Sequence, residues 1–318
     1  MKKITTVGGG TGTFVVLSGL KKKPDVHLSA IVSVADDGGS TGRLRDAYGY
    51  LPPGDLRQAL IALSEDETLL RKLFSHRFSK GELAGHNFGN LYLVALTEML
   101  GSDMHALEEA ARHLRVKGRV IPVSESPAVL CAEYSDATCV VGQYAIQVLR
   151  EERGPIKRLY LENTCHASDS ACQALAESDV VVLGPGDIYT STLANFVTHG
   201  LSGALRTSSA RLVYVMNLFS TTESGGMTMM DYVAAVEQYV GRAPDTVLVN
   251  TTPPPENVVA SYRERGQQLI VDDLGDAAHV VRTDLLSDIV FGAHAHDAVN
   301  RSLIRHDGDK LADAIMSL

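Results

Sequence analysis

The chain is short of several residue types, and each shortage excludes a class of protein. Its 318 residues include only four cysteines, and no two of them have the C-x-x-C spacing. Disulfide-stapled domains and zinc ribbons need denser or paired cysteines, so we expect reduced thiols in a cytoplasmic protein. No apolar run approaches the roughly 20 residues that a membrane-spanning helix needs. Residues 4–7 are also too few for the apolar core of a signal peptide.

Basic residues are in the minority as well. The chain has 29 Lys and Arg against 38 Asp and Glu, which gives a net charge of −9. A protein that neutralises phosphates along a nucleic acid needs a basic surface, so nucleic acid is not an expected partner. One phosphorylated small molecule needs only a few local donors and stays compatible. At this length we expect one large α/β domain or two smaller ones.

The sequence ITTVGGGTGT at residues 4–13 is the feature around which the rest is organised. Its first half is typical of a short buried strand, and the apolar periodicity that follows predicts a helix. Glycines between a strand and a helix let backbone N–H groups approach an anion at the positive end of the helix dipole. The G-x-G-x-x-G pattern and the Walker A lysine are both missing, so neither of those nucleotide sites is predicted. A turn without a ligand is the alternative. The predicted phosphate contacts are Gly9, Gly10, Thr11, Gly12 and Thr13.

A second apolar run, residues 28–34, ends in acidic residues followed by glycines and hydroxyls. Open parallel sheets bind their ligands beyond the carboxyl ends of the strands, so Asp36, Asp37, Ser40 and Thr41 are candidates. One of the two carboxylates would suit a divalent metal or a ribose hydroxyl. The other is expected to cap the turn.

Two further stretches place polar side chains at the start of predicted helices. In LPPGDL, residues 51–56, Asp55 is either a plain helix N-cap or an acid that faces the ligand. In GHNFGNL, residues 85–91, His86 and Asn87 lie where a loop enters a helix. They are placed to reach a substrate, with structural hydrogen bonding as the alternative.

From residue 118 to residue 161 the pattern changes to short alternating strands. This favours an antiparallel or mixed extension, inserted into a single domain that spans residues 1–318, rather than another βα unit. Beyond it, the strand at 179–183 leads into a second turn of glycines and hydroxyls, before a helix predicted from Leu193. Two such turns at the ends of parallel strands would supply convergent donors for a diphosphate. The predicted contacts from this turn and from the end of the next strand are Gly184, Gly186, Asp187, Tyr189, Thr190, Ser191 and Asn217.

Six motifs together resemble the 2-phospho-L-lactate transferase (CofD-like) family. They are GGGTGT, VADDGGSTGRLR, LPPGDLRQAL, GHNFGNL, LGPGDIYTS and IRHD, which occur in this order over nearly the whole chain. The similarity is closer to the bacterial YvcK-like branch, which is named for gluconeogenesis. The resemblance implies an α/β fold, a three-layer α/β/α sandwich. Its mostly parallel Rossmann-like sheet would carry a small mixed-strand extension.

The two branches of this family imply different activities. The transferase branch moves a phospholactyl group from a nucleotide-diphospholactate to a deazaflavin acceptor with magnesium, which implies that Asp37 and Asp55 face Mg2+. The YvcK-like branch is associated with UDP-sugar binding and with control of the cell wall, cell shape and central carbon metabolism. That resemblance implies that Tyr262 and Arg305 hold the nucleotide sugar. A phenol can stack on a base, and a guanidinium can fork onto a diphosphate.

We therefore expect a cytoplasmic regulatory protein that binds a nucleotide sugar, with the magnesium-dependent transferase as the alternative. The chain has no tryptophan and only 6% aromatic residues, which disfavours a pocket for the flat deazaflavin acceptor. The motifs contain no convincing nucleophile set of the Ser-His-Asp or Cys-His kind. The number of copies is left open, a homo-oligomer included.

Overall fold

The computed structural model describes residues 1–65, 69–148, 153–290 and 302–318. The strands in this part are β1 (Lys2–Val7), β2 (Val26–Val32), β3 (Arg119–Pro122), β4 (Leu130–Tyr134), β5 (Cys139–Val141), β6 (Ile156–Leu161), β7 (Val180–Leu183), β8 (Arg211–Val215), β9 (Thr246–Asn250) and β10 (Val280–Thr283). The helices are α1 (Gly10–Leu20), α2 (Gly39–Tyr48), α3 (Pro53–Leu63), α4 (Leu69–Ser75), α5 (Phe88–Leu100), α6 (Asp103–His113), α7 (Gln143–Val148), α8 (Asp169–Ala176), α9 (Leu201–Thr207), α10 (Met229–Val240), α11 (Glu256–Glu264) and α12 (Gly308–Met316). No helix within these ranges is long and apolar enough to cross a membrane.

Seven strands form a parallel sheet in the order β10-β9-β8-β7-β1-β2-β3. The chain runs outward from β1 through β2 to β3, and then returns to the other side of β1 with β7. Residues 4–7 of β1 therefore pair with residues 28–31 on one side and with residues 180–183 on the other. A reversal of this kind opens a crevice beyond the carboxyl ends of the two adjacent strands.

The central strands are buried on both faces, which explains their continuous apolar sequences. In β7, the four residues of Val180–Leu183 are all buried. Helix α1 contacts both α3 and α12 in one layer, and α9 contacts both α8 and α10 in another. Helix α1 lies so close to α12 that a Cβ on Gly19 would be 1.8 Å from the carbonyl oxygen of Gly308. The predicted three-layer α/β/α fold is confirmed.

The small extension differs from the prediction in its first strand. Strands β4, β5 and β6 form an antiparallel sheet in the order β5-β4-β6, whereas β3 joins the edge of the parallel sheet beside β2. Val120 and Ile121 of β3 are buried, and helices α2 to α6 form the crossover that leads to it. The expectation of an extension rather than a further βα unit was therefore wrong for β3 and is confirmed for β4, β5 and β6. The boundaries of the insertion at 118–161 stay a prediction, and its residues 149–152 lie outside the described residues.

Candidate functional site

Two loops meet at the crevice between β1 and β7. We call residues 8–13, which follow β1, the first loop, and residues 184–192, which follow β7, the second loop. A Cβ on Gly12 would lie 1.2 Å from the carbonyl oxygen of Pro185. The two backbones are therefore in direct contact, and position 12 accommodates only a residue without a side chain.

The first loop is shaped by its glycines and by one carboxylate. Gly8 and Gly10 have φ values of +146° and +67°, in the region that favours glycine. A Cβ on Gly9 would lie 2.1 Å from Oδ2 of Asp55, and the N–H of Gly10 donates to Oδ1 of Asp55 at 3.0 Å. The amide of Thr11, in the same first turn of α1, has no intrahelical acceptor because of its position. The carboxylate of Asp55 thus occupies part of the position that was predicted for a bound phosphate.

Asp55 is not the cap of its own helix. Helix α3 begins at Pro53, and Pro52 precedes it in an extended conformation, so Asp55 lies inside the first turn. The residue is only 7% exposed, and its carboxylate reaches across to the first loop. Burial raises the pKa of Asp55 to about 7, with a further contribution from the charge of Asp36. The N-cap alternative was therefore wrong, and Asp55 is a buried acid of the crevice.

The two acids after β2, Asp36 and Asp37, have different neighbours. A Cβ on Gly54 would lie 2.3 Å from Oδ2 of Asp36, which places Asp36 beside Asp55. Asp37 instead accepts the N–H of Tyr144 at 2.7 Å, at the start of α7. Burial raises the pKa of Asp36, and the charge of Asp37 adds to this. The structure thus brings Asp36, rather than Asp37, together with Asp55. The metal-facing role of Asp37 stays a prediction.

A hydrogen-bonded network holds the next group of predicted residues. Ser40 Oγ lies 3.2 Å from Nδ1 of His86. The hydroxyls of Ser40 and Thr41 each accept from Nδ2 of Asn90 at 3.4 Å. Oδ1 of Asn90 accepts from Nε of Arg57 at 2.8 Å. These bonds fix the start of α2 against α5, and contact of Ser40, Thr41 or His86 with a ligand stays a prediction.

Asn87 has a structural role in the same region. Its Oδ1 accepts the N–H of Gly89 at 2.9 Å and that of Asn90 at 3.3 Å, so it is the N-cap of α5. The loss of such a cap typically destabilises a protein by about 1 kcal/mol. Helix α5 thus starts at a defined residue, and contact of Asn87 with a ligand stays a prediction.

The second loop does not open an α-helix. A π-helical turn covers Ile188–Thr192, and a 3-10 turn begins at Leu193. The N–H of Ser191 donates to the carbonyl of Asp187 at 3.0 Å, and Nδ2 of Asn195 donates to the carbonyl of Ser191 at 3.0 Å. The buried carboxamide of Asn195 stabilises this irregular turn. A helix does begin at the predicted Leu193, but it is a 3-10 helix of three residues, Leu193–Asn195, and not an α-helix.

Glu223, which the sequence reasoning missed, accepts the amides of the second loop. Its Oε1 accepts the N–H of Tyr189 at 2.7 Å and that of Thr190 at 3.3 Å. The side chains of Tyr189 and Thr190 are themselves buried. Burial raises the pKa of Glu223 to about 8, and the charge of Asp187 adds to this. Glu223 lies in the segment that follows β8. A search for polar residues beyond the carboxyl ends of the parallel strands, as used for Asp36 and Asn217, would have included it.

Asn217 connects the second loop to the predicted nucleotide-sugar residues. Its Nδ2 donates to a carbonyl of that loop, the one of Gly186, at 2.6 Å. Two residues later, the ring of Phe219 stacks on Tyr262 with a centroid distance of 3.8 Å and an angle of 8°. Tyr262 is 5% exposed, and its hydroxyl accepts the N–H of Leu303 at 2.9 Å. Tyr262 thus belongs to a small apolar cluster just beyond β8, and Arg305 follows this cluster along the chain.

The acids of the crevice are candidate ligands for part of a magnesium site. Within the ranges given above, no three His, Cys, Asp or Glu side chains are arranged to hold a metal ion. Mg2+ prefers hard oxygen ligands and commonly takes only one or two carboxylates from a protein, because phosphates and water complete its shell. Asp36 and Asp55 fit such a partial donor set. Burial is the main cause of their raised pKa values, and the charge of Asp36 adds to the shift of Asp55.

Comparison with known proteins adds independent findings. The model of the family described as 2-phospho-L-lactate transferase CofD matches residues 4–287. A protein named "Gluconeogenesis factor" from Halalkalibacterium halodurans is 38% identical over 320 residues, which cover 99% of this chain and 96% of that protein. A protein of the same name from Bacillus subtilis is 36% identical over 320 residues, with coverage of 99% and 98%. A crystal structure of a UPF0052 family member from Bacillus halodurans has a TM-score of 0.89 at 35% identity, with coverage of 99% and 98%.

Proposed function

The chain belongs to the CofD family, and we propose that it is a cytoplasmic regulatory protein that binds a nucleotide sugar of the UDP type. Its regulatory role would lie in cell-wall and central carbon metabolism. Support for this comes from the full-length relatives named "Gluconeogenesis factor" and from the geometry of the crevice. The diphosphate of the ligand lies, in this proposal, where the first and second loops meet.

The observation that carries the proposal is the contact between these loops. They are far apart in the sequence, yet Gly12 packs directly against the carbonyl of Pro185. Loops at opposite edges of the sheet would be too far apart to hold one diphosphate. In the crevice that the reversal in strand order opens, amides from both loops can converge on one ligand. Nucleotide sites in open α/β sheets require such convergence.

The charge of the crevice sets a condition on the ligand. Asp55 and Glu223 already accept amide N–H groups of the two loops, and Asp36 lies beside Asp55. A bare diphosphate would place further negative charge beside Asp36 and Asp55. The ligand therefore enters together with Mg2+, which Asp36 and Asp55 would hold. When bound, the metal supplies the positive charge that the carboxylates and the phosphates share.

Tyr262 and Arg305 contact the rest of the ligand in this proposal. The guanidinium of Arg305 can donate two parallel hydrogen bonds to a phosphate. The ring of Tyr262 stacks on Phe219 and is only 5% exposed, so the ligand would meet only its exposed edge. Asn217 connects this region to the second loop.

Titration calorimetry with UDP-N-acetylglucosamine and MgCl2 tests the proposal. We expect binding in the wild type, at least about tenfold weaker binding in Arg305→Ala, and loss of binding when EDTA removes the metal. Arg206→Ala, on the exposed surface of α9, is the control and should bind like the wild type. The absence of binding to any UDP-sugar at millimolar concentration would refute the proposal.

The second candidate is a magnesium-dependent 2-phospho-L-lactate transferase. It is favoured by the match of residues 4–287 to the family of that name and by the presence of Asp36 and Asp55 in the crevice. Turnover of a nucleotide-diphospholactate with a deazaflavin acceptor would then require Mg2+ and disappear in Asp55→Asn. Binding of a UDP-sugar without this turnover favours the regulatory protein.

A further inference from the structure

Two side chains from different parts of the fold bond to the backbone of the same residue of the second loop, Thr190. Gln143, the first residue of α7, donates from Nε2 to the carbonyl of Thr190 at 3.0 Å. Glu223 accepts the N–H of Thr190 at 3.3 Å and that of Tyr189 at 2.7 Å. The carbonyl and the amide of Thr190 are therefore both fixed by side chains outside the loop.

Helix α7 also contacts the other side of the crevice. The N–H of Tyr144 donates to Oδ1 of Asp37 at 2.7 Å, next to Asp36. One turn later, the side-chain amide of Gln147 donates to the carboxylate of Asp187. A single short helix is thus bonded to the segment after β2 and to the segment after β7. Its position affects the spacing between these two segments.

The contacts of Gln143 and Glu223 include groups that are unfavourable for stability. The two residues are 7% and 8% exposed. In the described part of the chain, Oε1 of Gln143 and Oε2 of Glu223 are buried without a hydrogen-bond partner. A buried polar atom without a partner destabilises a fold, and apolar residues of similar shape avoid this loss. Polar groups of this kind need an explanation, and the bonds of both side chains to the second loop offer one.

We propose that Glu223 and Gln143 are positioning residues for the ligand, because they hold residues 187–191 in the conformation that faces the first loop. This inference rests on the proposed function, since the loop is positioned for the diphosphate. Both side chains act through the backbone of Tyr189 and Thr190, not through contact with the ligand. The hydrogen bonds to the second loop therefore require the acceptor oxygen of Glu223 and do not require its negative charge. Its raised pKa is consistent with this, because the group is largely protonated at neutral pH.

The variants Glu223→Gln, Glu223→Ala and Gln143→Ala separate these contributions. Glu223→Gln keeps an acceptor oxygen of the same shape, whereas Glu223→Ala removes it. In calorimetry with UDP-N-acetylglucosamine and MgCl2, we expect Glu223→Gln to bind within about threefold of the wild type. Glu223→Ala should bind at least about tenfold more weakly, and Gln143→Ala should also bind more weakly. Glu237→Ala, on the exposed face of α10, is the control.

Hydrogen exchange at the amides of Tyr189 and Thr190 reports on the loop without any ligand. We expect faster exchange in Glu223→Ala and near wild-type exchange in Glu223→Gln. Unchanged exchange and affinity in folded Glu223→Ala would overturn the inference. So would faster exchange without weaker binding, because the contacts would then be structural only. Equal losses of affinity in the Gln and Ala variants would also overturn it.

The outcomes distinguish this inference from the proposed function. If the wild type binds no UDP-sugar, the proposed function fails and the ligand-positioning role fails with it. If the wild type binds and the variants bind equally well, only the positioning role fails. Should Glu223→Ala not fold, Gln143→Ala decides, because it weakens binding if the inference is correct and leaves binding unchanged if it is not.

Discussion

Gly12→Ala tests the contact between the two loops directly. The new methyl group would lie 1.2 Å from the carbonyl oxygen of Pro185, whereas real Cβ contacts essentially never fall below 3.0 Å. The two backbones would have to separate by roughly 2 Å. Since backbone atoms cannot rotate away as a side chain can, we take the upper part of the range for overpacking, about 3 kcal/mol. The better helix propensity of alanine returns about 1 kcal/mol, which leaves a net destabilisation of about 2 kcal/mol.

Urea unfolding without ligand measures this loss, and calorimetry with UDP-N-acetylglucosamine and MgCl2 measures the effect on binding. We expect Gly12→Ala to bind at least about tenfold more weakly, because sites of this kind tolerate displacements of only about 0.5 Å. Two further Gly→Ala variants in helices provide controls.

Gly19→Ala introduces a clash away from the two loops, and Gly203→Ala introduces no clash. Gly19→Ala lies in the same helix, and its Cβ would be 1.8 Å from the carbonyl oxygen of Gly308, away from both loops. We expect it to lose stability and keep its affinity for the ligand. Gly203→Ala, in α9, would meet nothing within 4 Å and should gain about 0.5–1 kcal/mol. If Gly12→Ala were as stable as Gly203→Ala and bound normally, the contact between the loops would be refuted. If Gly19→Ala lost as much affinity as Gly12→Ala, general destabilisation would explain the loss.

Three further predictions follow from other contacts of the crevice. Glu223 has a pKa of about 8 in the folded protein against 4.5 for the free side chain, so the folded state holds the extra proton between these values. Wild-type stability should therefore fall as pH rises from 4.5 to 8, by about 4 kcal/mol more than that of Glu223→Gln; equal slopes in urea unfolding would contradict this. Asp36→Asn should weaken the magnesium-dependent binding of UDP-N-acetylglucosamine and Asp37→Asn should not, because Asp36 lies beside Asp55; the opposite result in calorimetry would place Asp37 at the metal. Asn87→Ala should lose about 1 kcal/mol of stability and Asn87→Ser much less, since serine also caps helices; equal losses on thermal unfolding would exclude the capping role.

Local features of the chain were predictable because their causes are local. The strand predicted at 179–183 contains the unbroken apolar run 180–183, as expected for a strand that is covered on both faces, and this run is observed as β7. Helix Met229–Val240 begins after its cap Thr228, whose hydroxyl accepts the N–H of Asp231, three residues later. Both features depend only on neighbouring residues.

Features that depend on distant partners were not predictable in the same way. The strand Arg119–Pro122 pairs with β2 in the parallel sheet, although its neighbours in sequence suggested the antiparallel extension. The turn Ile188–Thr192 is irregular because Asn195 and Glu223 bond to its backbone, and no apolar periodicity records such bonds. Gln143 and Gln147 act on the second loop from another part of the fold, and no local pattern marks them.

The sequence by itself determined which segments can offer amides and acids to a phosphate, because glycine content and strand ends are local properties. Only the tertiary structure decided which of these segments meet. The pairing of β7 with β1 brings Gly12 against Pro185, and the packing of α3 sends Asp55, rather than a ligand, to the amide of Gly10. Strand pairing and the burial of carboxylates arise from contacts between residues far apart in the chain. The local sequence pattern does not encode such contacts.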